Sequence, residues 1–146
     1  MIGQQGSSVL KDSSQYTARA IQTASPGQLV VMLYDGLLRF LNQSKAAMER
    51  RDMGEAGLKM SRAQAIVTEL RCSLDLTRGP IAENLARIYD WTADEMMGAR
   101  LENDPQRVAR LVSLLGELRD AWAQIASTEK PQTESTRPTV GVNLAG

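Results

Sequence analysis

Residues 25–41 read SPGQLVVMLYDGLLRFL, and this stretch decides the fold. Ser25 can accept hydrogen bonds from free backbone N–H groups, and Pro26 fits a first helical turn, where its missing N–H costs nothing. Gln28 stands three residues after Ser25 and completes a capping-box pattern. A helix is therefore predicted from Ser25-Pro26 to about Arg51. At about 100° per residue, Leu29 to Leu33, Tyr34, Leu37, Leu38, Phe40 and Leu41 spread over about 260° of its circumference. Only Gln28, Asp35, Arg39, Asn42 and Gln43 mark a polar strip. A peripheral bundle helix needs about half its surface apolar, so this helix carries a surplus. Two explanations fit: the helix is central and covered by the N-terminal segment, or it borders a groove for a partner. They are compatible if the segment covers the groove and can be displaced.

Start signals recur along the rest of the chain. Asp52 and Glu55 stand in cap spacing, predicting a second helix from near Asp52 or Gly54 to about Leu76. Gly79-Pro80 breaks the chain, and Pro80 opens a third helix to about Glu102. Asp104-Pro105 opens a fourth, to about Ala126. Short connections make neighbouring helices antiparallel. A shorter helix is predicted near Tyr16 to Ile21. Residues 1–14 have the Gly, Ser and Gln content of a mobile arm, and residues 128–146 the composition of a disordered tail. The expected architecture is all-α: an antiparallel four-helix bundle over residues 15–127 with a short additional N-terminal helix.

Each later helix shows an apolar stripe. On the second it comprises Met60, Ala63, Ile66, Val67, Leu70 and Leu74. On the third it comprises Ile81, Leu85, Ile88, Tyr89, Met96 and Met97. On the fourth it runs from Val108 through Leu111, Val112, Leu114, Leu115, Leu118 and Trp122 to Ile125.

Composition narrows the function. Aromatics are only 4% of the chain, which favours helices over strands. Lys plus Arg and Asp plus Glu are both 17, so no bulk field steers the chain to nucleic acid. There is no histidine, which removes imidazole acid–base chemistry, imidazole metal ligation and phosphotransfer through a bundle histidine. Cys72 is the single cysteine, so no intramolecular disulfide forms, as suits a reducing compartment. The N-terminus is polar and no run is long and apolar enough for stable membrane insertion. A soluble, cytoplasmic protein is expected.

Candidate chemical groups are sparse. Cys72 lies off its apolar stripe with no histidine or second cysteine beside it. Asp94-Glu95 and Glu49-Asp52 read as solvated faces rather than metal or acid–base sites. No glycine-rich phosphate loop follows a strand. Trp91 points about 140° away from its stripe. It packs under a loop or a helix edge, or it anchors a partner. An enzyme or carboxylate-bridged metal bundle needs charges facing inward, whereas these stripes are apolar and no Glu-x-x-His exists. No metal or cofactor is expected.

The stretch Tyr16 to Phe40, YTARAIQTASPGQLVVMLYDGLLRF, resembles the start of the flagellar export chaperone family of the FliS type. The matching residues are Tyr16, Thr23-Ala24-Ser25-Pro26 and Leu33-Tyr34-Asp35-Gly36. In order, Ile66, Glu69, Leu70 and Leu74-Asp75 look like the family's second helix. Ala82, Asn84-Leu85 and Tyr89-Asp90 look like its third, and Leu118-Arg119 and Ala121-Trp122 like its fourth. Arg100 stands where the family often has Asn. The resemblance covers about residues 16–126. It implies a chaperone that binds the disordered C-terminal segment of flagellin, prevents premature polymerisation and supports delivery to the flagellar export apparatus. Tyr16, Ile21, Val31, Tyr34, Leu38 and Trp91 are the expected contacts. Residues near Tyr16 to Ile21 are expected to cover part of the groove in the free protein. A helical adaptor for a different protein partner would share this fold.

Overall fold

A computed structural model describes residues 23–128. Four helices fill this range: α1 Pro26–Glu49, α2 Met53–Cys72, α3 Pro80–Glu102 and α4 Pro105–Ala126. A 3-10 turn, Leu76–Arg78, precedes α3. The helices form the expected all-α bundle. The arm over 1–14, the additional helix near Tyr16 to Ile21 and the tail beyond Thr128 lie outside the described residues.

The helix starts follow local chemistry. Gln28 N–H donates to Ser25 Oγ at 3.2 Å, and Ser25 N–H donates to Gln28 Oε1 at 2.8 Å, so the capping box is complete. Asp52 accepts from the Glu55 N–H at 3.1 Å. Asp104 accepts from the N–H groups of Gln106 and Arg107. Gly79 takes φ 102°, a conformation that favours glycine, and turns the chain into Pro80. The predicted end of α2 at Leu76 is corrected to Cys72. Ser73 Oγ donates to the Leu70 carbonyl, and Asp75 then captures the Thr77 N–H to begin the 3-10 turn. Side-chain bonds to backbone here compete with continued helix.

α1 packs against α2 along one edge and α4 along the other, and α3 closes the square against both. The register is set by cross-helix contacts. Ser44 Oγ donates to the Ala56 carbonyl at 2.8 Å between α1 and α2. Arg119 meets Asp35 at 2.8 Å between α4 and α1. Arg71 meets Asp90 at 3.1 Å between α2 and α3.

The core lies on the inner side of α1. Leu29, Val30, Leu37, Leu41 and Met48 are buried there, with Met60, Ala63, Val67 and Leu70 from α2 and Val108, Leu111 and Leu115 from α4. Each fully buried Leu or Val contributes about 1.5–3 kcal/mol relative to exposure. The stripe expected on α3 is corrected. Tyr89 and Met96 are buried, but Ile81 and Met97 are exposed. The inward face instead pairs those two residues with Ala82, Ala86, Thr92 and Ala99. Arg71, near the end of α2, faces Asp90. The first turns of α3 therefore run beyond α2.

Candidate partner-binding surface

Two apolar surfaces flank α4, and its C-terminal half belongs to both. The first is a groove of about 310 Å³ between the start of α1 and the end of α4. Gln28, Val31 and Met32 line one wall, and Ala123, Ala126 and Ser127 the other. Val31 and Met32 are half-buried, so part of the surplus apolar arc of α1 opens here. The Asp35–Arg119 ion pair lies one turn further along the same edge. Leu38 lies beyond that pair, two turns from Val31, and is half-buried against the core.

The second surface is the outer seam between α3 and α4. Its direction follows from an ion pair. Arg107 meets Glu95 through Nε at 2.9 Å and a second nitrogen at 3.0 Å, so Glu95 marks the edge of α3 that faces α4. Ile81, Ile88 and Trp91 stand 14, seven and four residues before Glu95, hence on that same edge. On α4, Leu114, Leu118, Ala121 and Ile125 continue the line of Arg107 at helical spacing. Ile81 is 76% exposed, Trp91 46% and Ile125 52%. Ile88, Leu114 and Leu118 are half-buried between them. The result is an apolar strip closed at one end by the Glu95–Arg107 pair. The solvated-face expectation for Glu95 is thereby corrected, because its carboxylate forms a two-point bond to a guanidinium and is held below the usual carboxylate range. Gly98 leaves the room, since a Cβ there would stand 2.5 Å from the Arg107 guanidinium.

The expected contacts divide. Val31 lines the groove and Trp91 lies on the seam, while Leu38 lies past the Asp35–Arg119 pair, outside the groove's lining and packed against the core. Tyr16 and Ile21 lie outside the described residues. Tyr34 is a correction: it is fully buried and its hydroxyl meets that of Tyr89 at 2.8 Å. It shares the inward stripe of Val30, Leu37 and Leu41, at i−4, i+3 and i+7, so it offers a partner no surface. Burial pushes its phenol above the ordinary value, against opposing hydrogen bonds with Tyr89 and Trp122. Tyr89 is pushed up as well, by burial first and then by Tyr34.

Sequence reasoning missed the α4 contribution. It assigned Ile81, Ile88, Leu114, Leu118 and Ile125 to core stripes. The available signal was the width of the α3 and α4 stripes, which exceeds what two neighbours cover. Among the described residues, no group of His, Cys, Asp and Glu is arranged to hold a metal ion, and no helix is long and apolar enough to cross a membrane. Cys72 is exposed.

Relatives share this arrangement of sequence. Residues 10–129 match the FliS family, described as flagellar protein FliS. The chain is 30% identical over 115 residues to the flagellar secretion chaperone FliS of Bacillus subtilis, covering 79% of this chain and 86% of that one. It is 35% identical over 109 residues to the chaperone of the same name from Salmonella typhimurium, covering 73% and 81%. It is 34% identical over 106 residues to that from Vibrio cholerae, covering 72% and 78%. With a bundle of this register and matches spanning most of its length, the chain belongs to the FliS family of flagellar secretion chaperones.

Proposed function

We propose that this protein holds the C-terminal segment of flagellin in the cytoplasm, keeping it from premature polymerisation and ready for export. The observation that carries this is the apolar seam of Ile81, Trp91 and Ile125, exposed where the bundle gains nothing from it. Such side chains cost free energy in water unless something covers them. A disordered amphipathic segment can fold as a helix along an apolar strip and cover it. The groove of Val31, Met32, Ala123 and Ala126 offers a second strip on the other edge of α4. Coupled folding of this kind typically buries about 1,000–3,000 Å², which calls for a long apolar surface. One segment could engage both edges of α4. Val31, Leu38 and Trp91 are the contacts we assign among the described residues.

Calorimetry with the flagellin C-terminal segment tests the proposal. Saturable binding with a negative heat-capacity change is expected, because apolar surface is buried. Ile125→Asp should abolish it while leaving the bundle folded. Absence of binding, or normal binding by the folded Ile125→Asp protein, refutes the assignment. Binding of a different exported protein at the same seam would establish the helical-adaptor alternative.

A further inference from the structure

The edge of α1 that faces α2 carries a feature that the surfaces around α4 do not use. Phe40 is half-buried there, and three cations converge on its ring. Arg39 Cζ stands 5.3 Å from the ring centroid, Lys59 Nζ 5.9 Å and Arg62 Cζ 6.0 Å. Each is attracted by the negative face of the ring, yet the three repel one another. Lys59 is balanced by Glu55 at 3.6 Å. Arg39 and Arg62 make no ion pair with the described residues. The formal net charge of the chain is zero, so this gathering of cations is a local feature.

We propose that Phe40, Arg39, Lys59 and Arg62 form a docking site for an acidic segment of a partner protein. Charge complementarity selects the occupant. Planar guanidinium groups take carboxylates through paired hydrogen bonds, and the ring between them takes an apolar side chain. Three cations fall short of the cluster of about 4–8 that reads as a binding surface for anionic lipid. α1 packs α2 on this edge and α4 on the other, so the site and the apolar surfaces around α4 can be occupied together.

The test uses the full chain, isotope-labelled and titrated in solution with an acetylated peptide of alternating glutamate and leucine. Saturable shifts centred on Arg39, Phe40, Lys59 and Arg62 are expected, with binding that weakens as salt is added. The pair Arg39→Glu and Arg62→Glu should weaken binding at least about tenfold, as loss and reversal of direct charge contacts do. Arg39→Gln with Arg62→Gln, which adds no new charge, serves if the first pair lowers the thermal unfolding temperature. Trp91→Ala should leave the peptide's affinity unchanged. Four results overturn the proposal: no saturable binding, equal binding of the peptide with lysine in place of glutamate, shifts centred on Trp91 and Ile125, or adsorption to phosphatidylglycerol vesicles without peptide binding.

Discussion

α1 and α3 are nearly equal in length, 24 and 23 residues, and each begins with a proline, yet they spend their apolar residues in opposite ways. α1 turns Leu29, Val30, Leu37 and Leu41 inward, where α2 and α4 enclose them. α3 turns mostly small side chains inward and leaves Ile81, Trp91, Met97 and Leu101 in solvent. Core leucines hold the bundle together by removing apolar area from water. Tyr89 and Met96 of α3 share in this, but its exposed residues Ile81, Trp91, Met97 and Leu101 do nothing of the kind. The difference separates a helix that stabilises the fold from a helix whose outer edge is available to another chain.

The comparison breaks first if α1 is not the stabilising partner. Leu37→Ala, at a fully buried position, should cost about 2–5 kcal/mol of unfolding free energy, read from the urea midpoint. A cost below 1 kcal/mol, on the scale of a surface change, would show that α1 does not anchor the core.

Next in size is the effect of Trp91→Ala on partner binding. An exposed tryptophan acting as an anchor should be worth about 2 kcal/mol, a factor of about thirty in affinity for the flagellin segment. Calorimetry measures this, and an unaltered affinity would remove α3 from the binding surface.

Tyr34→Phe sharpens the contrast from inside. It strands the Tyr89 hydroxyl and should cost about 1–3 kcal/mol, whereas replacing both tyrosines by Phe should cost less than the two single changes summed. The same pair predicts a pH dependence. Both phenols are raised in the folded state. Below about pH 10 they are protonated whether folded or not, so their contribution is complete. Above it the unfolded chain releases protons that the folded chain retains, and stability falls as pH rises. Urea midpoints at rising alkaline pH should fall more steeply for the native sequence than for the double Phe variant.

The smallest expected effect is the most discriminating. Ile81→Ala, at an exposed position, should change unfolding free energy by no more than about 0.5 kcal/mol. A larger loss in the same urea titration would make Ile81 part of the bundle's own packing.

Sequence made much of this legible, because much of it is local. A cap acts within a few residues, so Ser25 with Gln28, Asp52 with Glu55 and Asp104 with Pro105 placed three helix starts, and Gly79 with Pro80 the fourth. The end of α2 was less legible, since Ser73 and Asp75 divert the backbone with side-chain bonds that periodicity does not register. Of the candidate contacts, Val31 and Trp91 lie on accessible surface, whereas Tyr34 lies in the core.

Spacing along one chain is enough to read the four helices, their order and the family. Only the tertiary structure decided which apolar faces close and which stay open. A helical wheel gives an angle about one axis but not where the neighbouring helices stand. Tyr34 is sealed because Tyr89 crosses to meet it, and Ile81 is bare although the wheel set it on the same stripe as buried Tyr89. Glu95 is engaged because Arg107 reaches it across Gly98. Each outcome depends on a residue distant in the fold's path yet near in space, and burial is a property of that neighbourhood.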